Sequence, residues 1–371
     1  MSGKVLVSAL ALTCLLAGCA SLGGNPEAPP KKLIEFGWDE PSTTFMRQHR
    51  VEMEAMPFDG CVFHVDYKKT DGSAGQFIWE LWGTRRFTYG ELMPTIGDLQ
   101  ATRFERFTDN FLRVNVVPGA VDWFDDYAAI LDNVRLAARA AREGGAVGIL
   151  LDTEQYQSPL FTYRKQRDAG TKSWEAYAHQ ARLRGREVMD ALQDGYPRLT
   201  ILLTFGYAVP WLESRKGAVA LPDIEYGLLV PFLDGMVDAV RPGTRLVDGY
   251  EPTYYHNRDV TKFASAYRIV KEDVLPIVAD PKRYQRVMSV GFGLWLDFDS
   301  TAIGWNEADG SKNFYTPEDF ERSVRAALEA SDRYVWIYTQ IPQWWSEKGV
   351  PLKLPPGYVE ALRRVRETTA R

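Results

Sequence analysis

Short apolar stretches with alternating side chains recur eight times along the chain and predict eight β-strands. Between them lie segments whose apolar residues recur every three or four positions, as on one face of a helix. Strand followed by helix, repeated eight times, is typical of a (β/α)8 barrel, whereas a doubly wound sheet seldom needs eight units. The predicted strands cover 33–38, 60–66, 111–117, 147–153, 200–206, 245–250, 287–295 and 334–339.

The predicted strands have one apolar face and one face that turns polar towards the strand's end, as expected for a barrel wall. On the second strand, for example, Cys61 and Phe63 can pack on helices while His64 faces the interior. On the first strand we expect Ile34 and Phe36 to face outwards and Glu35, Gly37 and Asp39 to face inwards. Glu35 and Arg113 lie deeper and predict a buried ion pair.

The chain is longer than the roughly 250 residues of a plain barrel, and the surplus is unevenly placed. The long segments are 67–94, 155–173, 207–222 and 297–315, and each follows a strand. Loops that follow strands lie at the end of the barrel that carries active sites. The sequence therefore predicts a single domain over 33–371 with a cleft at that end.

The fourth strand ends in Asp152-Thr153-Glu154. Alternate side chains of a strand share a face, so these two carboxyls would lie about 7 Å apart at the backbone, facing the mouth. A partner carboxyl would come from the sixth strand. Either Asp248 points inwards, or the strand ends early and Glu251 does. We expect these four acids to be catalytic, with Glu154 as the general acid.

Aromatic residues make up 13% of the chain and include eleven Trp, many of them after predicted strands. Carboxylates and aromatic rings gathered at one site are typical of carbohydrate binding, because sugars offer apolar faces for stacking and hydroxyls for hydrogen bonds. With only four His and none at ligand spacing, no metal and no cofactor is expected. The residues expected to bind substrate are Asp39, His64, Asn115, Tyr207, Tyr254, Trp295, Asp297, Tyr338, Gln340 and Trp345.

The acids at the fourth strand resemble those of glycoside hydrolases. Asp152 and Glu154 match the last two acids of the chitinase-type pattern, although Ala146 and Ile149 stand where earlier acids would be. In a clan A hydrolase Glu154 would be the acid/base, with Asp297 in place of the nucleophilic Glu. A galactosidase-like barrel would use Asp152 as nucleophile and an acid from the sixth strand. The resemblance is to the superfamily and implies a hydrolase of glycosidic bonds, using two carboxyls.

Two other functions fit the same residues. Gln340 is an amide where a carboxylate could stand, which is compatible with a non-catalytic glycan-binding lipoprotein on a decayed barrel. A metal-assisted hydrolase would instead use Asp39, His64, Asp66 and Asp152.

The first residues predict export. Lys4 and an apolar run over 5–16 are followed by Leu16-Ala17-Gly18-Cys19, which resembles a bacterial lipobox. Residues 1–18 would be the signal peptide, Cys19 would carry lipid, and 19–32 would be a flexible tether. With Ala20 in place of Asp, the resemblance to Gram-negative lipoproteins implies the outer membrane.

Net charge and cysteine content indicate which partners and which thiol chemistry to expect. The net charge of −5 is unclustered and gives no sign of nucleic-acid binding. Besides Cys14 and Cys19 there is only Cys61, which we expect to be a buried, inert thiol. The expected partners are a carbohydrate and, through Cys19, a membrane, with the chain as a monomer.

Overall fold

The computed structural model describes residues 30–69, 71–116, 121–156, 158–256 and 258–369. Eight parallel strands form a ring in which each strand pairs with the next and β8 pairs with β1, placing Ile34 opposite Trp336. The prediction of a (β/α)8 barrel is confirmed. The strands are β1 Lys32–Gly37, β2 Gly60–Phe63, β3 Phe111–Asn115, β4 Gly148–Asp152, β5 Thr200–Leu203, β6 Arg245–Asp248, β7 in two segments, Met288–Val290 and Phe292–Trp295, and β8 Tyr334–Thr339.

Helices follow the strands and cover the outside of the ring. They are α1 Thr43–Gln48, α2 Arg50–Ala55, α3 Phe77–Glu80, α4 Tyr89–Ala101, α5 Ala128–Glu143, α6 Trp174–Gly195, α7 Ala208–Gly217, α8 Leu229–Ala239, α9 Lys262–Arg268, α10 Pro281–Val287, α11 Ser300–Ile303, α12 Pro317–Ala330 and α13 Tyr358–Thr369. Short helical turns occupy Tyr163–Lys165, Leu221–Asp223, Glu251–His256, Ile269–Asp273, Leu275–Ile277 and Gly310–Lys312. A small antiparallel hairpin, Asp66–Lys68 with Ala74–Gln76, follows β2.

Apolar side chains form two separate layers. The outer layer joins strands to helices and includes Cys61, confirming the prediction of a buried thiol. The inner layer fills the barrel with one or two residues from most strands. Trp336 is its largest member, and a Cβ on Gly293 would come within 2.6 Å of the indole. Burying each large apolar side chain contributes about 1.5–3 kcal/mol, so both layers hold the ring closed. The inner layer comprises Ile34, Phe36, Val62, Phe111, Leu150, Leu202, Val247, Tyr254, Tyr334 and Trp336.

The expected orientation of β1 is wrong by one residue. Ile34 and Phe36 belong to the inner layer, so Glu35 faces outwards, where it is fully buried. Burial, and then the charge of Asp39, raise the pKa of Glu35 well above its usual range. A carboxyl that keeps its proton can be buried behind a strand. The expected pair of Glu35 with Arg113 is also wrong, because Arg113 binds other acids.

The long connections predicted after strands gather at the C-terminal end of the barrel. The segment 67–94 contains most of the hairpin, α3 and the start of α4, and 207–222 contains α7. Among the described residues no helix combines the length and apolar character needed to cross a bilayer. The predicted signal peptide, Cys19 and most of the tether lie outside the described residues.

Candidate active site

A cleft of about 570 Å³ opens at the C-terminal end of the barrel. Residues from the ends of β1, β2, β3, β4, β5, β6, β7 and β8 contribute to its wall, as expected for a site in this fold. Its lining consists of Phe36, Gly37, Trp38, Glu40, His64, Gln76, Ile78, Trp79, Arg113, Glu154, Tyr156, Thr204, Glu251, Tyr254, Tyr255, Trp295, Tyr338 and Gln340.

Asp152, the last residue of β4, lies beneath the floor of the cleft and is fully buried. One carboxylate oxygen accepts hydrogen bonds from Arg113 at 2.6 Å and from the Tyr156 hydroxyl at 2.9 Å. The other accepts from the Thr204 hydroxyl at 3.2 Å and from the backbone N–H of Glu154 at 3.1 Å. With these four bonds the carboxylate is satisfied, and it positions its neighbours.

Arg113 links β3 to two acids at once. Its guanidinium donates to Glu40 at 2.8 Å as well as to Asp152, and it lies 5.1 Å and 5.3 Å from the ring centres of Phe36 and Trp79. Burial lowers the pKa of Arg113, but Asp152 and then Glu40 raise it further, so the group stays charged. Arg113 thus compensates the charge buried below the cleft.

Glu154 and Glu251 lie in the cleft wall, one after β4 and one after β6. Within the described residues neither side chain forms an ion pair. Burial, and then Asp152, raise the pKa of Glu154, while Tyr156 and Arg113 lower it. Burial, and then the charges of Glu154 and Asp152, raise the pKa of Glu251 well above its usual range. The charge of Glu154 thus favours the protonated form of Glu251 in the same cleft.

The two alternatives for the sixth strand are resolved in favour of Glu251. β6 ends at Asp248, and a helical turn begins at Glu251. The inner-layer residue of β6 is Val247, so Asp248 faces outwards and is fully buried against Gly206, in the segment after β5. Burial raises the pKa of Asp248 to about 7. Asp248 therefore does not reach the cleft.

Aromatic rings form the walls around the two glutamates. Trp38, Tyr255 and Tyr156 are 72%, 58% and 44% exposed, and they are the only strongly exposed aromatic side chains among the described residues. All three line this cleft. Tyr338 accepts a 2.6 Å hydrogen bond from the Trp38 indole, and its ring stacks on Tyr254 with centres 5.6 Å apart. Exposed rings collected at one cleft indicate a binding surface for a ligand with apolar faces.

Five of the ten residues expected to bind substrate lie in the cleft wall, namely His64, Tyr254, Trp295, Tyr338 and Gln340. His64 lies between two acids, 3.8 Å from Glu40 and 3.7 Å from Asp66. Burial lowers its pKa, but Asp66 and Glu40 outweigh burial and raise it overall. His64 is therefore a cationic polar group at the edge of the cleft as the pH falls.

The other five do not line the cleft, and their expected contact with substrate is corrected. Tyr207 is buried and donates to Asp234 at 2.9 Å. Asn115 is buried at the end of β3, with no side-chain partner in the described part of the chain. These two follow strands, but their side chains pack below the mouth.

Asp39, Asp297 and Trp345 instead hold loops in place. Asp39 accepts from the backbone N–H of Trp344 at 2.7 Å, and Trp345, itself buried, donates to the carbonyl of Asp39 at 3.1 Å. Asp297 accepts from the Trp295 indole at 3.0 Å and from the N–H of Gln340 at 2.9 Å. Asp297 thus positions two cleft residues without reaching the cleft.

Sequence reasoning missed Trp38, Glu40, Trp79 and Tyr255 and gave Arg113 another role. Trp38 directly follows Gly37, the last residue of β1, and Tyr255 follows Tyr254 in the turn after β6. Their positions near the ends of strands could have indicated them. Trp79 lies in the middle of a long loop, where no periodicity marks which side chains turn inwards.

The four residues of the metal-assisted alternative do not converge. Asp152 is bonded to Arg113, and Asp39 is bonded to backbone and to Thr339. Within the described ranges no three His, Cys, Asp or Glu side chains are grouped so as to hold a metal ion.

The fold and cleft define a (β/α)8 barrel similar to solved glycoside hydrolases. No family model and no curated protein matches the chain. A chitinase domain from Pyrococcus furiosus is 10% identical, with a TM-score of 0.47 over 92% of this chain and 97% of that one. A family 5 glycoside hydrolase from Streptomyces cattleya, in complex with GlcNAc, is 13% identical, with a TM-score of 0.48 over 91% and 81%. Such values are too low to transfer an activity.

Proposed function

We propose that this protein is a glycoside hydrolase in which Glu154 and Glu251 form the catalytic pair. One observation carries the proposal: these two carboxyls, neither ion-paired within the described residues, share a cleft with every strongly exposed aromatic ring of the described chain. Hydrolysis of a glycosidic bond needs one carboxyl as acid and one as nucleophile or base. Aromatic rings supply surfaces for sugar faces.

The surroundings of the two groups favour Glu251 as the proton donor, whereas the Asp-x-Glu pattern predicts Glu154. Burial and the charge of Glu154 favour the protonated form of Glu251. Burial and then Asp152 also raise the pKa of Glu154, but Tyr156 and Arg113 oppose this rise, whereas at Glu251 Arg113 alone opposes it. We therefore assign Glu251 to protonate the leaving oxygen and Glu154 to act at the anomeric carbon, as nucleophile or as base for a water molecule.

Asp152 acts through Glu154 as a positioning residue. Its carboxylate accepts from the backbone N–H of Glu154 and from the hydroxyl of Tyr156. Both bonds fix the turn that carries Glu154, which limits the misplacement that costs catalysis. Asp248 is not assigned a role in the reaction.

The charges of the cleft favour a neutral sugar. Glu40, Glu154 and Glu251 line the wall, and the one arginine there, Arg113, is already shared between Glu40 and Asp152. His64, the other basic group of the lining, lies between Glu40 and Asp66, so an anionic sugar would meet cations that are already paired and would be repelled by the glutamates. We propose neutral oligo- or polysaccharides as substrates.

Leaving-group dependence tests the two roles. The full chain is assayed on neutral polysaccharides and on dinitrophenyl glycosides, which need no protonation of the leaving group. We expect Glu251→Gln to lose about 10³-fold in kcat/KM on polysaccharide but much less on the dinitrophenyl glycoside. Glu154→Gln is expected to lose about 10³-fold on both, because it removes the group that acts at the anomeric carbon.

The exposed Glu225 provides a matched control, since Glu225→Gln changes an acid outside the cleft. Full turnover by both cleft variants would refute the pair. Saccharide binding without any product from the unmodified protein would indicate the glycan-binding alternative. The roles would be reversed if Glu251→Gln lost activity on both substrates while Glu154→Gln kept most of its activity on the dinitrophenyl glycoside.

We also propose that Cys19 carries lipid and anchors the barrel to the outer membrane, on the sequence pattern alone. Incorporation of labelled palmitate that is unchanged by Cys19→Ser would contradict this anchor.

A further inference from the structure

A second cavity, of about 520 Å³, lies at the opposite end of the barrel, where β6, β7 and β8 begin. It is unlike the cleft because arginines dominate its wall. The charged residues that line it are Arg241, Arg245, Arg283, Arg286, Arg333 and a single acid, Asp332.

Two of the arginines are compensated by neighbouring acids. Arg241 forms ion pairs with Asp190 at 2.6 Å and Asp194 at 2.7 Å. Arg333 pairs with Asp109 at 3.2 Å. These two side chains shape the wall, and their charge is largely balanced.

Three arginines keep an unbalanced charge. The side chains of Arg245 and Arg286 form no hydrogen bond or ion pair with any residue that the structure describes, and both residues are exposed. Arg283 donates to the backbone carbonyls of Val237 at 2.6 Å and Val240 at 2.9 Å, which carry no net charge. Three uncompensated guanidinium groups around one cavity favour an anion.

A buried hydroxyl in the same wall points to a ligand. Thr244 is only 7% exposed, yet its hydroxyl has no partner among the described residues. Buried hydroxyls are almost always hydrogen-bonded, so this group lacks an acceptor. Asp332 is not the acceptor for the Thr244 hydroxyl. Its carboxylate accepts from the N–H of Val290 at 2.8 Å and lies 3.3 Å from the Lys271 amine.

We propose that this cavity binds a phosphate ester, with Arg245 and Arg286 on its oxygens and the Thr244 hydroxyl as a further donor. A phosphate group offers several acceptor oxygens and matches the fork of a guanidinium, which a halide or a single carboxylate does less well. The cavity lies at the far end of the barrel from Glu154 and Glu251, so the inference goes beyond the proposed hydrolase activity and does not depend on it.

Two sources could supply the phosphate: a soluble ester or a phospholipid headgroup. β1 begins at Lys32 at this same end, and the Lys31 amine contacts the carbonyl of Ser331, next to Asp332 of the cavity wall. If Cys19 carries lipid, the chain between it and Lys31 spans at most about 40 Å. This placement keeps the cavity within reach of a bilayer and favours the headgroup.

Titration of the full-length chain in neutral detergent tests the proposal. Inorganic phosphate, glycerol 3-phosphate and dihexanoyl phosphatidylglycerol are each titrated by calorimetry, with zwitterionic dihexanoyl phosphatidylcholine for comparison. We expect saturable binding that weakens as salt rises from 50 to about 300 mM, because the arginines are exposed. Arg245→Gln and Arg286→Gln are each expected to weaken binding about tenfold, and Thr244→Val about fivefold.

Arg215→Gln is the matched control, since Arg215 lies on α7 at the mouth of the barrel and is expected to change nothing. Binding of phosphatidylglycerol far above the small esters supports the headgroup, and equal binding of all three anions supports a soluble ester. The proposal is overturned if none of the anions saturates, or if the three variants bind as the unmodified chain does. Unchanged thermal melting of the variants excludes misfolding as the cause of a loss.

Discussion

At the ends of β4 and β6 a buried aspartate is followed by a glutamate in the cleft, after one residue at β4 and after two at β6, but the two aspartates are buried by different means. Asp152 accepts four hydrogen bonds, one of them from Arg113. Asp248 accepts one, from the N–H of Tyr250 at 3.0 Å, and its other oxygen has no partner among the described residues. One acid is buried as an ion pair and the other as an acid that keeps its proton up to about pH 7.

The difference sets what each aspartate does to the glutamate that follows. The Asp152–Arg113 pair gives Glu154 a fixed backbone and a nearby cation. Below about pH 7 Asp248 adds no charge near Glu251, whose pKa is raised by burial and by the charge of Glu154 instead. Burial thus raises the pKa of both glutamates, but Tyr156 and Arg113 oppose the rise at Glu154 whereas Arg113 alone opposes it at Glu251.

Removing the cation from the β4 end should have the largest effect on stability. Arg113→Met takes the shared cation away from Asp152 and Glu40, and breaking a buried ion pair in this way costs about 3–5 kcal/mol. Urea denaturation at pH 7.5 measures the loss. The double variant Arg113→Met/Asp152→Asn is expected to recover part of it, because one uncompensated charge is gone.

A surface arginine provides the control for that experiment. Arg164 is exposed and pairs with Asp223 at 2.6 Å, so Arg164→Met should cost less than about 1 kcal/mol. If Arg113→Met cost no more than Arg164→Met, the contrast between the two strand ends would be lost.

Changing the β6 end should alter the pH dependence of stability. The folded chain binds the Asp248 proton more tightly than the unfolded chain does, because burial raises the pKa from 3.8 to about 7. This group therefore favours folding most below about pH 4, and its contribution is lost as the pH rises to about 7. Asp248→Asn should remove a decline of about 2–4 kcal/mol between pH 4.5 and 7.5.

Urea titrations of both proteins across that range measure the difference. Other buried acids, Glu35 among them, contribute equally to both curves and cancel when they are subtracted. Parallel curves for the variant and the unmodified chain would show that Asp248 titrates normally.

The barrel could be predicted because its signals are local. Each strand repeats with a period of two, and all eight predicted strands occur within a few residues of their expected positions. Orientation failed only at β1, where Glu35 is polar but faces outwards. The prediction assumed that an acidic residue on a strand is charged and therefore faces the polar mouth. Glu35 keeps its proton, so it can be buried on the outer face of β1 instead.

The site was predictable only in part. The inward face of β4 follows from alternation, which led to Asp152 and Glu154. The choice between Asp248 and Glu251 depends on where β6 stops pairing with β5 and β7, after Leu203 and Val290 respectively, which no local pattern encodes. Trp79 lies in α3 and Tyr255 in the helical turn Glu251–His256, two short elements whose orientation is set by the fold of the long loops that contain them.

The smallest expected change separates the two roles in the cleft. Tyr156→Phe removes the hydroxyl that donates to Asp152 at 2.9 Å but keeps the ring that packs on Trp79, so stability should fall by about 1 kcal/mol. Burial and Asp152 raise the pKa of Glu154 and the Tyr156 hydroxyl lowers it, so removing the hydroxyl should raise this pKa further. If Glu154 must be ionised, the acidic limb of kcat/KM against pH moves upwards and the alkaline limb stays. A shift of the alkaline limb alone would mean that Glu154 is the group that holds the proton, and the assignment of the β4 and β6 ends would have to be exchanged.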